Sequence, residues 1–151
     1  MAQEAKQEKL VYPEPIVIKP SVKHTATILW LHGLGDSGKG WEAEMVKLGM
    51  LAPWIKFILP TAPRRSITCN GGAVMNGWYD IESLQNRDKN EYEGKQASVD
   101  YICGLIQSET KAVPSERIMV CGFSQGGAMS LYTASLKDAI GRHHLLLGIL
   151  A

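Results

Sequence analysis

The sequence lacks several features that mark specialised classes of protein. Its 16 lysines and arginines are balanced by 15 aspartates and glutamates, and a net charge of +1 offers no basic surface for a nucleic-acid partner. No apolar run approaches the roughly 20 residues that a membrane-spanning helix needs. Only three cysteines occur, and the first ten residues lack the apolar core of a secretory signal. Together these features predict reduced thiols and a cytoplasmic location.

The composition that remains is that of an ordinary globular protein. The chain has 151 residues, of which 45% are hydrophobic and 21% are charged, enough for one domain with its own core. The polar first residues predict a flexible N-terminal segment over residues 1–12. Residues 13–151 are predicted to form a single domain.

Short apolar runs alternate with segments of helical spacing along this domain. Runs rich in β-branched and other apolar residues predict strands at residues 16–18, 25–31, 55–59, 118–121 and 145–150. Helical spacing of apolar residues predicts helices at residues 41–51, 91–113 and 124–137. Residues 64–77 contain Asn-Gly turn signals and are predicted to be irregular. Continuously apolar strands that alternate with helices predict an α/β fold, with a mostly parallel sheet and helices on both faces.

A glycine-rich loop, LHGLGDSGKG at residues 31–40, follows the second predicted strand. Its glycines fit the GxGxxG dinucleotide fingerprint, but the next strand ends FILPT, without the carboxylate that would hold a ribose. The loop also fits the GxxxxGK phosphate motif, but Gly40 stands where a hydroxyl should hold magnesium. Both nucleotide interpretations are therefore disfavoured. An oxyanion-binding loop and a simple tight turn remain open on this segment alone.

A second glycine motif, IMVCGFSQGG at residues 118–127, places GxSxG between a predicted buried strand and a predicted helix. A strand that turns directly into a helix forces the central Ser124 into a strained conformation, with its hydroxyl exposed at the carboxyl edge of the sheet. Gly122 and Gly126 leave the space that such a turn needs. The pattern predicts a nucleophilic serine, and the alternative is a Gly-Ser turn between packed elements.

A serine nucleophile of this kind needs two hydrogen-bond donors for the developing oxyanion. One should be the backbone N–H of the residue after the serine, Gln125. The other should come from a loop after an earlier strand, and the His-Gly-Leu-Gly turn at residues 32–35 is the candidate. The two glycine motifs explain each other, which favours the oxyanion interpretation of the first loop.

In these motifs the sequence resembles the acyl-protein thioesterase family of the α/β-hydrolase superfamily. The resemblance is carried by LHGLGDSGKGW at residues 31–41, FILPTAP at 57–63, GWYDI at 77–81 and PSERIMVCGFSQGGAMSLYTA at 114–134. It implies an α/β-hydrolase fold with Ser124 as the nucleophile. By the same resemblance, the N–H groups of Leu34 and Gln125 would form the oxyanion hole, and Trp78 would lie near the acyl-binding groove.

The resemblance also implies a reaction and its substrates. Members of the family hydrolyse thioesters and oxygen esters of long acyl chains, including palmitoyl groups on protein cysteines, and they need no metal or organic cofactor. The expected partners are therefore S-acylated proteins or lysophospholipid and related ester substrates, met through transient contact with a membrane surface.

After the serine, the sequence departs from the superfamily pattern. The triad runs Ser, then Asp or Glu, then His along the chain, and here the candidates after the serine are Asp138, His143 and His144. Asp138 would stand about 20 Å along a helix from the serine, out of hydrogen-bond reach. The two histidines precede the last predicted strand, at the wrong end of the sheet. Upstream, His32 is expected to order its loop rather than to act as the base.

The resemblance therefore implies that the acid and the base lie beyond Ala151. On this expectation, residues 13–151 form a partial α/β-hydrolase domain that lacks the last strands and helices. Without its base, Ser124 would be a weak nucleophile at neutral pH. The alternative function is then a catalytically inactive hydrolase fragment that acts at most as a lipid- or protein-binding module.

Overall fold

The computed structural model describes residues 10–86, 88, 90–135 and 146–150. Within these residues the strands are β1 (Ile16–Ile18), β2 (Ala26–Leu31), β3 (Ile55–Leu59), β4 (Arg64–Ile67), β5 (Ala73–Asn76), β6 (Ile118–Phe123) and β7 (Leu146–Leu150). The α-helices are α1 (Gly38–Leu51), α2 (Lys95–Glu109) and α3 (Gln125–Ser135). No helix of the described residues has both the length and the apolar composition that crossing a bilayer requires.

One five-stranded sheet organises the fold, in the order β1-β3-β2-β6-β7. β2, β3, β6 and β7 run parallel, and β1 pairs antiparallel with β3 at the edge, so the predicted edge strand and mostly parallel sheet are confirmed. β2 and β6 are neighbours, with Leu31 opposite Gly122 at their carboxyl ends. The segments that follow these two strands therefore meet at one edge of the sheet.

Side chains of the central strands alternate between two cores, as the pleat of a strand requires. Leu29 and Leu31 face the core that includes Ile102 of α2 and Met129 of α3. Trp30, between them in sequence, faces the opposite core with Met45 of α1. Helices therefore cover both faces of the sheet, which confirms the predicted architecture.

The ends of two helices differ from the prediction because local capping decides them. α1 begins at Gly38 rather than at residue 41, since the Ser37 side chain caps it by accepting the N–H of Gly40. α2 begins at Lys95 rather than at residue 91. Tyr92 (φ 54°) and Gly94 (φ 80°) adopt left-handed conformations that a helix cannot include.

Residues 64–77, predicted to be irregular, instead contain an antiparallel hairpin of β4 and β5. Its connection holds Gly71 (φ 65°) and Gly72 (φ 79°), the left-handed conformations that the Asn-Gly-Gly sequence signals. The strands were missed because Arg-Arg-Ser-Ile and Ala-Val-Met-Asn lack the apolar alternation that marks a half-buried strand.

Tyr12 belongs to the segment predicted to be flexible, but it packs against the domain. Its ring stacks on that of Tyr101 with centroids 4.1 Å apart, and its hydroxyl lies 3.0 Å from the Ser98 hydroxyl. Stacking of this aromatic pair favours an ordered segment and opposes the entropy of a free chain end. Order therefore begins before the predicted domain boundary at residue 13.

Candidate active site

Ser124 lies at the sharp turn between β6 and α3, and its side chain is exposed. Its φ of 51° falls in the left-handed region, which a residue with a Cβ adopts at a cost on the order of 1–3 kcal/mol. The Ser124 carbonyl accepts the Ala128 N–H at 3.0 Å, so the strained residue also opens the helix. This is the exposed, strained serine that GxSxG predicts at the end of a strand.

The turn is tight enough to require Gly122 before the serine. A Cβ on Gly122 would lie 2.6 Å from the carbonyl carbon of Gly126 and would overlap the Leu31 oxygen. Backbone atoms cannot rotate away as side chains do, so a larger residue would force the strands and the helix apart. The GxSxG spacing therefore follows from packing between β6, α3 and β2.

The glycine-rich loop after β2 lies directly beside the serine. A Cβ built on Gly33 would be 3.5 Å from the Ser124 Cβ and 3.1 Å from the ring of Phe123. Gly35 (φ 80°) donates its N–H to Asn76 O at 2.8 Å, and the Asn76 amide donates back to Asp36 O at 2.8 Å. The hairpin thus holds the loop in place against the serine.

Internal bonds of this loop disfavour the two nucleotide interpretations further. The N–H groups of residues 35, 36, 37, 38 and 40 all donate to protein acceptors, including Asp36 Oδ1 and Thr61 Oγ1. A phosphate cradle needs such N–H groups free. Lys39, which a phosphate loop would aim at the phosphates, instead pairs with Glu42.

His32 orders the loop in a neutral state. It is fully buried; its Nε2 accepts the Ala62 N–H at 2.9 Å, so its Nδ1 carries the proton and donates to Gly33 O at 2.6 Å. Burial lowers the pKa of His32, and the hydrogen bond to Gly33 opposes this shift in part. With both ring nitrogens engaged, His32 has the loop-ordering role expected for it and is not free to act as a base.

Two backbone N–H groups beside the serine have no protein acceptor in the described part of the chain. They belong to Leu34, in the glycine-rich loop, and to Gln125, at the first residue of α3. These are the two donors that the family resemblance implies for an oxyanion hole.

The Gln125 side chain is buried and joins the elbow to the segment after β5. Its Oε1 accepts the Trp78 N–H at 2.9 Å, and its Nε2 donates to Tyr79 O at 2.9 Å. Trp78 is fully buried beneath the site, with its indole N–H donating to His32 O at 2.9 Å. The side chain expected near the acyl-binding groove therefore does not line the cavity, and its neighbour Tyr79 does.

Ser124 opens onto a cavity of about 930 Å³. Most of its lining is apolar or aromatic and includes Leu34, Tyr79, Ile81, Leu84, Phe123 and Tyr132. The one lysine or arginine among its described lining residues is Lys95, whose Nζ lies 3.8 Å from the Tyr132 ring centroid. Such a wall suits the hydrocarbon chain of a ligand that reacts at the serine.

Sequence reasoning missed most of this lining. The signal for Tyr132 was present, since it stands two helical turns after Ser124 on the same side of α3 as Ala128. Tyr79 and Phe123 stand next to Trp78 and Ser124, which the sequence analysis singled out. Which residue of each neighbouring pair faces the cavity depends on the packing of distant segments.

No general base stands in the described part of the cavity, because its lining includes no histidine, aspartate or glutamate. Asp80 is engaged elsewhere: its carboxylate accepts the Thr68 N–H at 2.8 Å and the Thr68 hydroxyl at 2.5 Å. Asp138, His143 and His144, weighed as triad candidates, lie outside the described residues.

The chain is similar to several characterised proteins over most of its length. It is 43% identical to acyl-protein thioesterase 1 of Schizosaccharomyces pombe over 118 residues, covering 78% of this chain and 52% of the relative. It is 45% identical to acyl-protein thioesterase 1 of Yarrowia lipolytica over 131 residues, covering 83% and 58%. The crystal structure of Zea mays acyl-protein thioesterase 2 matches with a TM-score of 0.71 and 37% identity, covering 81% and 51%. The chain thus spans about half the length of these relatives.

A mostly parallel sheet with helices on both faces and a serine at a strand–helix turn define an α/β-hydrolase fold. The family model described as phospholipase/carboxylesterase matches residues 13–150. The chain belongs to this family.

Proposed function

We propose that this fold hydrolyses the ester and thioester bonds of acyl chains, with Ser124 as the nucleophile. The observation that carries the proposal is the position of Ser124, exposed at a strained turn and opening onto an apolar cavity. The cavity holds the acyl chain, so that the carbonyl carbon reaches the serine hydroxyl. This arrangement supplies the proximity on which acyl transfer depends.

The oxyanion hole consists of the N–H groups of Leu34 and Gln125. Both lack a protein acceptor among the described residues, and the Gln125 N–H also stands at the positive end of the α3 dipole. Each would donate a hydrogen bond to the oxygen as its negative charge develops. One such donor is worth on the order of 3 kcal/mol in the transition state.

The reaction proceeds through an acyl-enzyme. The Ser124 Oγ attacks the carbonyl carbon while its proton passes to a general base, and the oxyanion forms between the two N–H groups. The bond to the leaving sulfur or oxygen then breaks, and the leaving group takes that proton. A water molecule then attacks the acyl-enzyme while the general base takes its proton. The ester bond to Ser124 Oγ breaks, the base gives that proton to Oγ, and the fatty acid is released. The general base must come from outside the described residues.

The proposed substrates are S-acylated proteins and lysophospholipids, reached from the cytoplasm by transient contact with a membrane surface. The similarity to acyl-protein thioesterases supports S-acylated proteins as substrates. The apolar cavity suits the acyl chain that both kinds of substrate carry. The proposed acyl-enzyme route uses no metal ion and no organic cofactor.

A fluorophosphonate probe tests the proposal directly, because it phosphonylates only an activated serine. We expect labelling of the wild-type protein and loss of both labelling and p-nitrophenyl ester hydrolysis in Ser124→Ala. Ser108→Ala, at an exposed serine of α2, is the matched control and should keep both. Hydrolysis that survives Ser124→Ala would reject the assignment. A folded wild-type protein that takes no label would favour the inactive binding module instead.

A further inference from the structure

Three hydrogen bonds converge on Trp78, and each of them reaches a different segment of the chain. Its indole N–H donates to His32 O at 2.9 Å, and its backbone N–H donates to Gln125 Oε1 at 2.9 Å. Its carbonyl accepts the Ser98 hydroxyl of α2 at 2.5 Å. The same Ser98 hydroxyl also lies 3.0 Å from the Tyr12 hydroxyl.

The two direct donations lead to the two halves of the oxyanion hole. His32 O belongs to the peptide unit that joins His32 to Gly33, one unit before the N–H of Leu34. Gln125 carries the other oxyanion donor on its own backbone. The buried Trp78 residue thus connects two chain segments, some 90 positions apart in sequence, that must be held at a fixed spacing.

From this geometry we infer that Trp78 is the positioning residue of the oxyanion hole. Its indole fixes the glycine-rich loop, and its backbone fixes Gln125, so that one residue sets the distance between the two N–H donors. This inference rests on the proposed function, and it gives the aromatic residue of the GWYDI segment a role other than substrate contact. Trp78 is fully buried and lines no part of the described cavity, which separates its effect from acyl binding.

Replacing the indole of Trp78 by a smaller ring without an N–H tests the inference. Trp78→Phe should lower kcat by about tenfold relative to the wild-type protein, because a small displacement of a positioned group is enough to lose that much. The KM for a p-nitrophenyl ester should change less than twofold. An acyl trifluoromethyl ketone, which forms a tetrahedral adduct with a nucleophilic serine, should lose affinity by the same factor as kcat, while the free fatty acid should bind unchanged.

Trp30→Phe is the matched control. Trp30 is nearly as buried, at 5% exposure, but among the described residues its indole N–H has no hydrogen-bond partner, so this variant removes an N–H without removing a bond. Its kcat should stay within twofold of wild type. If the two variants have equal kcat, or if ketone and fatty-acid affinities fall together in Trp78→Phe, the inference is wrong.

A second variant decides the matter if Trp78→Phe does not fold. Ser98→Ala removes the donor to Trp78 O together with the contact to the Tyr12 hydroxyl, and it should lower kcat about threefold with KM unchanged. An unchanged kcat would overturn the inference. Failure of the proposed function can be told apart from failure of the inference about Trp78. If the proposed function is wrong, hydrolysis persists in Ser124→Ala, whichever residue stands at position 78.

Discussion

Gly126 packs against the carbonyl group of Leu31 without room for a side chain between them. A Cβ on Gly126 would lie 2.5 Å from the Leu31 carbonyl carbon and 2.5 Å from His32 O, and it would overlap the Leu31 oxygen. The first turn of α3 therefore rests on the end of β2, at the point where the glycine-rich loop begins. The contact brings the serine and the oxyanion loop together, and it explains why GxSxG ends in glycine.

Gly126→Ala should consequently disable both the fold and the site. We expect a loss of about 3 kcal/mol in the free energy of unfolding, the upper range for overpacking against backbone, and no fluorophosphonate labelling of the protein that remains folded. Urea unfolding and probe labelling measure the two effects.

Gly104→Ala is the control with the opposite expected sign. Gly104 lies within α2, and nothing stands within 4 Å of a Cβ at that position. Alanine should therefore stabilise the helix by up to about 1 kcal/mol and leave labelling intact. Equal stabilities of the two variants would contradict the packing account of Gly126.

His32 should make stability depend on pH in one direction. The pKa of buried His32 is lowered in the folded protein. As the pH falls below about 6.5, His32 is therefore protonated in the unfolded chain while it is still neutral in the folded chain. The stability that His32 contributes is present above the unfolded pKa and is lost as the pH falls. The difference in unfolding free energy between wild type and His32→Asn, about 2 kcal/mol at pH 7.5, should shrink by up to about 1.4 kcal/mol per pH unit.

Urea unfolding of both proteins at pH 7.5, 6.5 and 5.5 measures that difference. A difference that stays constant across the three pH values would mean that His32 takes a proton in the folded state, and that the neutral tautomer assigned from its two hydrogen bonds is wrong.

The sequence predicts the central sheet well because its strands are short apolar runs with strong ends. Residues 55–59 were predicted with the observed bounds, since Pro60 ends the run. The positions of Ser124 and Gln125 follow equally from local sequence, because a strand that turns into a helix at GxSxG has few conformations. Strands and turns whose conformation depends on their own residues could therefore be predicted from the sequence.

Features that depend on contacts between distant segments could not be predicted. Trp78 is an aromatic residue beside a candidate groove, yet it is buried because His32 O and Gln125 Oε1 are present to satisfy its donors. The polar strand β4 is paired only because β5 folds back onto it. Sequence patterns reflect the local preferences of a segment. Trp78 is placed by partners 40 or more positions away, and β4 is placed by a pairing that its own sequence pattern does not encode.

A buried ion pair at the amino-terminal side of the sheet should contribute to stability. Glu109 is buried and accepts Lys56 Nζ at 2.6 Å and the Thr27 hydroxyl at 2.9 Å. Lys56→Met would leave the carboxylate without its cation, which should cost about 2 kcal/mol, less than for a fully buried pair because the lysine side chain is 25% exposed.

Thermal and urea unfolding of Lys56→Met measure this cost, and Lys47→Met is the matched control. Lys47 and Glu44 form an exposed pair at 4.0 Å, so that removing it should change stability by less than about 0.5 kcal/mol. Adding Glu109→Gln to Lys56→Met should recover part of the loss. No recovery would indicate that lost packing of the lysine stem, rather than an unpaired charge, is responsible.

Leu84 should determine how KM depends on the length of the acyl chain. It lines the cavity and is 59% exposed, which leaves it free to cover a bound chain. Leu84→Asp places a charge against the hydrocarbon, and each buried methylene contributes about 0.8 kcal/mol of binding. We expect KM for a 16-carbon p-nitrophenyl ester to rise about tenfold and KM for a 4-carbon ester to change less than twofold, because the short chain does not extend along the wall.

Leu51→Asp, at a 79% exposed residue outside the described cavity lining, should leave both values unchanged. Equal effects of Leu84→Asp on the two esters would show that the acyl chain does not follow this wall.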